Sequence, residues 1–256
     1  MVISRLFEEP SMKRILSFVL VLCVAATLFA ATGLSVKASG AFDIFSLRTS
    51  TISNTDAYYT FKGNGLGFEL GVQYDINDKI LVYADYSMVF PSDFQMEASE
   101  KPYASGKYSE LVEDAKLLAE MLTDGKATNS LFFLNISAGA AYKFDFDPIK
   151  LAVGGGAYYN LLYGRIRVTG SEFGTIIDNK DIVSFYTIGL SALVDAKYMV
   201  AKNIGICLTV IPQIGFFSER SFTFYENGEK MDTSTSLSGF GVSFSMPISI
   251  GASYSF

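Results

Sequence analysis

The sequence predicts an all-β chain: an eight-stranded antiparallel up-and-down transmembrane β-barrel, with short turns at one rim and longer loops at the other. Three observations predict it. From Phe240 to Phe256 every even position is apolar or aromatic and every odd one is small, polar or proline, the period of a two-faced strand. A Tyr-x-hydrophobe strand end recurs at Tyr74, Tyr142, Tyr198 and Tyr254. Half of the residues are hydrophobic, yet past the first 38 no apolar run reaches the ~20 residues of a helical span.

The composition of the two faces decides which side meets lipid. A solvated strand face carries Lys, Glu and Thr, whereas the polar face of 240–256 holds Ser and Gly and no charge. Its opposite face is uninterrupted hydrocarbon ending in Tyr254 and Phe256. Apolar outward and small or polar inward is the pattern of a membrane barrel strand. A soluble sandwich strand is the alternative, and the missing charges argue against it.

The chain starts with a leader. Lys13 and Arg14 precede an apolar run from Ile15 to Ala31, and small residues follow with cleavage candidates at 36–38 and 38–40. Residues 1–38 are therefore expected to be a signal peptide with translation starting at Met12, and 39–256 the barrel. Those 38 residues hold 4 of the 20 basic and 2 of the 26 acidic side chains, which leaves the remainder at −8. An acidic chain without a basic patch is a poor partner for nucleic acid. Of two cysteines, Cys23 falls in the leader, so Cys207 has no partner for an intramolecular disulfide.

Each Tyr motif fixes the end of a strand descending to one rim. Asn77-Asp78-Lys79, Asp145-Phe146-Asp147-Pro148 and Ala201-Lys202-Asn203 follow three of them, the residues tight turns require. The ascending strands are expected at about 41–51, 79–90, 149–167 and 204–219. The descending ones are expected at about 62–76, 129–144, 182–200 and 237–256. In the first strand, Phe42 to Phe45 changes phase, which predicts a bulge. Pro212 and Pro247 fall mid-strand, and each should remove one ladder bond. Tyr74, Tyr142, Tyr198 and Tyr254 would form an aromatic girdle.

Two of the long loops carry signals. In 91–128, Ser109 to Leu122 reads as a helix with Leu111, Ala115, Leu118 and Leu122 on one stripe. In 219–236, Asn227-Gly228 is a hairpin turn that would extend the last two strands as a ribbon.

The inward positions collect charge: Glu69, Asp85, Lys143, Asp195, Lys197 and, if Phe45 and Leu47 set the phase of the first strand, Arg48. Lys or Arg on the lipid face at mid-depth would cost about 2–4 kcal/mol, so charge belongs inside. There it forms either an ion-pair network filling the lumen or a polar permeation path. Eight strands enclose just enough room for side chains, which favours the network. No His/Cys cluster offers a metal site, and Gly154-Gly155-Gly156 lacks the lysine of a phosphate loop; no cofactor is expected.

The strand ends, the Asn/Asp turns and the terminal Tyr254-Ser255-Phe256 resemble the outer-membrane β-barrel superfamily of Gram-negative bacteria, which includes OmpX, OmpW and the OmpA transmembrane domain. That resemblance implies a place in the outer membrane. It also implies that Tyr254 and Phe256 act as the assembly signal read by the outer-membrane insertion machinery. Barrel enzymes of this superfamily depend on a histidine, and the chain has none, so an enzyme is not expected. Two functions stay open. One is a structural or surface-interaction protein, a monomer whose lumen is largely plugged by polar side chains and whose loops meet a host or environmental ligand. The other is a narrow passive channel for small solutes, hydrophobic ones included.

Overall fold

The computed structural model describes residues 33–50, 58–98, 106–172, 175–231 and 235–256. Of the expected signal peptide 1–38, residues 1–32 lie outside these ranges, as does residue 51 of the first strand, whereas 34–38 fall within the first strand. Eight long strands form: β1 (Leu34–Ser50), β2 (Tyr58–Asp75), β3 (Ile80–Ala98), β4 (Thr123–Phe146), β5 (Ile149–Glu172), β6 (Thr175–Met199), β7 in two pieces (Ile204–Val210 and Gln213–Glu226) and β8 (Thr235–Ser255). Among the described residues one helix, α1 (Tyr108–Glu120), stands between β3 and β4. Successive strands pair antiparallel, and β1 pairs with β8 from Ser35↔Ser255 to Ser46↔Phe244. The ring is thereby closed, and every strand has a neighbour on both sides. Closure is what lets a sheet exist in lipid, because no row of backbone donors is left unpaired.

At the short-turn rim the sequence acts locally. The Asn77 side-chain oxygen accepts the N–H groups of Lys79 (2.8 Å) and Ile80 (2.9 Å), which closes the β2–β3 turn. At the other rim Asn227 and Gly228 take φ of 51° and 83°, the left-handed pair that a two-residue hairpin turn requires. The strands run further than expected on this side. β5 and β6 span 24 and 25 residues, against the ~9–11 a tilted strand needs to cross a bilayer. About half of each therefore projects beyond the lipid.

Two local expectations change, in β1 and in the helix, and the one at the prolines is met. No bulge interrupts β1: its register with β2 runs unbroken from Leu34↔Tyr74 to Ser50↔Tyr58. Asp43, Phe45 and Leu47 simply all face inward, at 0–1 % exposure. The register shifts fall elsewhere, at Asn64/Gly65, Thr123/Lys126, Ile188/Gly189 and Phe240/Ser243. At the prolines the ladder opens without slipping, since Ser245↔Gln213 and Ile248↔Val210 keep one register across the gap. Ile211 N–H still reaches the Pro247 carbonyl at 3.0 Å.

The helix forms where expected but is turned. Ala115 and Ala119 pack with Leu122 against Ala127, Ile166 and Val168 on the inner faces of β4 and β5, whereas Leu111 and Leu118 are exposed. Alanine lets a helix approach a sheet more closely than leucine does, and the approach of the helix follows its small residues. The outer surface of the ring carries Leu66, Leu190, Ile206, Ile250 and many like them, largely exposed. Such an apolar belt is stable only in lipid.

Candidate functional site: the barrel interior

The interior is layered. Nearest the short-turn rim lies a charged layer built around Lys37. Its ammonium sits 2.8 Å from Asp85 Oδ1, 2.9 Å from Glu69 Oε1 and 3.9 Å from Asp195 Oδ1, and it donates to Thr209 Oγ1 at 3.0 Å. Thr209 in turn donates to Asp195 Oδ1 (2.6 Å), and Gln73 Nε2 donates to Asp195 Oδ2 (3.0 Å). All six residues are buried. Register explains the convergence. Lys37 faces Gly71 across β1–β2, and Gly71 faces Asp85 across β2–β3. A Cβ on Gly71 would collide with Lys37 Cε and Asp85 Oδ1. The glycine is the gap through which the lysine reaches the far carboxylate.

The middle layer is polar and nearly neutral. The Asp43 carboxylate accepts from Ser245 Oγ (3.0 and 3.1 Å) and from the Met246 N–H (3.1 Å). Gln213 exchanges bonds with Asn135 in both directions (2.8 and 2.9 Å) and accepts from Asn160 at 3.1 Å. Toward the long-loop rim the interior becomes mostly hydrocarbon, with Arg220 buried opposite Phe185. Phe45, Leu47, Phe61, Phe133, Leu162 and Phe185 form one cluster, none above 1 % exposure, with Val112 of α1 packed against it. Phe45 stacks on Phe133 with ring centroids 4.4 Å apart, and Phe61 meets Phe185 edge-on at 5.2 Å.

The expected inward charges divide. Glu69, Asp85 and Asp195 come together in the charged layer, and Lys197 is buried beside it. Lys143 faces inward but at the rim, half-buried and paired with Asp75 at 2.7 Å. Arg48 does not belong: Leu47 takes the inner position, so the regular pleat of β1 turns Arg48 to the exposed outer face. Sequence reasoning misses Lys37, the hub, and Asp43. Lys37 falls on the leader side of the expected boundary, although Ser35, Lys37 and Ser39 continue the polar inner face of β1 backward. Asp43 is hidden by the expected bulge.

Tyr74, Tyr142, Tyr198 and Tyr254 all point outward near the short-turn rim, 42–51 % exposed. Phe256, the other half of the expected assembly signal, packs edge-on against Tyr254 at 5.0 Å. A closed ring with hydrocarbon outside, aromatic rings at one rim and ion pairs inside defines a transmembrane β-barrel of the outer-membrane type.

No family model matches the chain, and no curated protein does. Among solved structures it is similar to neisserial surface protein A, at 17 % identity over 88 % of this chain and 98 % of that one, with a TM-score of 0.38. It is similar to a major outer membrane protein of Thermus thermophilus, at 14 % identity over 86 % and 99 %, TM-score 0.47. OprG of Pseudomonas aeruginosa is 12 % identical over 88 % and 96 %, TM-score 0.46. These likenesses concern the fold.

Proposed function

We propose that this chain is an integral outer-membrane protein with a structural or surface-interaction role and a non-conducting lumen. One observation carries the reading: six fully buried apolar side chains, from Phe45 to Phe185, meet inside the ring, and α1 packs over them. Apart from the buried Arg220, the cross-strand partner of Phe185, whose guanidinium lies over the Phe222 ring at 4.4 Å, the layer offers water little polar surface, and close-packed rings fill it. The plug is thus apolar as well as polar, where the sequence leads to the expectation of polar side chains alone. The surface on offer is the long-loop side, formed by the extended β5–β6 and β7 walls. Outer-membrane lipid is the solvent of the belt, the insertion machinery reads Tyr254 and Phe256, and the chain acts as a monomer without catalysis.

Conductance of the refolded protein in a planar bilayer tests this. A silent bilayer with a folded barrel is expected. Stable unitary currents that change when Glu69 or Asp85 is neutralised would make the protein a narrow channel instead. For the assembly signal, a Tyr254→Ser/Phe256→Ser double variant should remain unassembled in the periplasm; normal insertion would remove that role.

A further inference from the structure

On the outer face, aromatic rings bound the apolar belt toward the long loops as the tyrosines do at the short-turn rim. One membrane crossing along β4 from Tyr142, ~10 residues, stands Phe132, which stacks on its cross-strand partner Tyr163 with ring centroids 5.1 Å apart. Phe133 and Leu162 point inward at 0 % exposure, so Phe132 and Tyr163 face out. The next outward positions of β5 are Arg165 and Arg167. Arg165 therefore stands one pleat repeat, ~7 Å, beyond the ring that ends the belt. That is the depth of lipid headgroups, which add ~5–7 Å to each side of the hydrocarbon. Lys180 of β6 is directly opposite Arg167, with its ammonium 3.8 Å over the Tyr225 ring. The acids nearby leave this patch positive. Asp178 binds Arg167 through Nε and one terminal nitrogen, which leaves free three of the ~5 guanidinium donors. Asp181 is opposite Ile166 and shares its inner face. Glu219 is opposite Tyr186, whereas Arg165 is opposite Ile182, ~13 Å away along β6.

We propose that Arg165, Arg167 and Lys180 hold the phosphate of an anionic lipid headgroup in the outer leaflet. The cations continue the apolar belt without a gap, and that continuity selects a lipid over a soluble anion. One lipid molecule meets both surfaces, its acyl chains on the belt below Phe132 and Tyr163 and its phosphate on the cations. A free ion meets the cations alone. Each Lys or Arg beside an anionic leaflet strengthens the attraction about fivefold. The patch rests on the placement in the outer membrane and stands whether or not the barrel conducts.

The test is an amide NMR titration of the full chain in phosphatidylcholine nanodiscs that carry increasing fractions of phosphatidic acid. Saturable shifts are expected from Tyr163 to Thr169 and from Asp178 to Ile182. Arg165→Gln and Lys180→Gln should each weaken the binding about fivefold, and Asp178→Asn should tighten it by about as much. Lys180→Gln alone carries the test if the Arg165 variant does not fold. Lys202→Gln, in the exposed β6–β7 turn at the other rim, should leave the binding unchanged. Shifts that grow linearly with the phosphatidic acid fraction, or an affinity unchanged in both cation variants, would overturn the patch. Equal saturation by oleic acid would reduce it to an unselective attraction of charge and overturn the phosphate. Saturation by inorganic phosphate in discs of phosphatidylcholine alone would assign it to a free ion and overturn the lipid.

Discussion

Near the short-turn rim the barrel interior holds one lysine among three carboxylates; toward the long-loop rim it holds six apolar side chains packed together. The same pleat, on the same strands, builds both. β1 alone contributes Lys37, Asp43, Phe45 and Leu47 to successive layers. The two ends nevertheless fail differently. A packed hydrocarbon layer loses energy in proportion to the atoms removed. A buried ion cluster loses far more when one member goes, because the others remain charged and unpaired.

Lys37→Met is therefore expected to have the largest effect of any single change in the lumen. It takes from Glu69, Asp85 and Asp195 the cation they share, and should cost at the upper end of ~3–5 kcal/mol. Urea unfolding in lipid vesicles measures it. Adding Glu69→Gln and Asp85→Asn to the variant should recover most of the loss; no recovery would mean that the lysine acts through packing, and the contrast between the two ends would collapse. Phe133→Ala should cost somewhat less, near ~3 kcal/mol, and should show no such rescue. The same variant is the sharpest route to a leaky barrel, because Phe133 stacks at the centre of the apolar layer.

Gly71→Ala probes the ion cluster without removing a charge. The added methyl meets Lys37 and Asp85, so the lysine has to withdraw from the far carboxylate. The expected cost is about 1–3 kcal/mol, the usual range for overpacking. In a Lys37→Met background the penalty should shrink, since a neutral side chain no longer held to Asp85 can swing out of the way; an undiminished penalty would place the clash at Asp85 instead.

How much of this is legible in the sequence follows the contrast between faces. Where outside is hydrocarbon and inside is polar, alternation locates the strand and its inward residues: Glu69, Asp85, Asp195 and Lys197 are read from period two alone. Toward the long-loop rim both faces are apolar. Phe132, Phe133 and Leu134 follow one another with no contrast to read, so the apolar layer stays invisible and Arg48 falls to the wrong face. Lys37 is lost for another reason. The small residues that end a leader, Ser35 to Gly40, are also what the crowded start of β1 needs. Its place in the ion cluster leads us to expect a mature chain that begins at or before Leu34. Intact mass of the exported protein checks this, and a species beginning at Ser39 would strip the barrel of its hub.

The smallest effect belongs to charges that project beyond the lipid. Arg167 grips Asp178 with two bonds of 2.7 Å across the β5–β6 extension, but both side chains are substantially exposed. The Arg167 hydrogen bonds hold the Asp178 carboxyl below the usual carboxylate range. A depressed folded pKa gives stability that is complete above the unfolded value, near ~4, and that is lost as pH falls through the folded one. Exposed pairs contribute only ~0.2–1 kcal/mol, less in salt. Amide protection factors at Gly170 and Ile177, register partners near the tip, taken relative to the intrinsic exchange rate at each pH, should therefore fall slightly as the pH drops below ~4. Asp178→Asn should abolish that pH dependence and leave the lumen unaffected. A shift larger than a few-fold would mean that the extension is coupled to the interior. Charge at the tip would then matter as it does around Lys37.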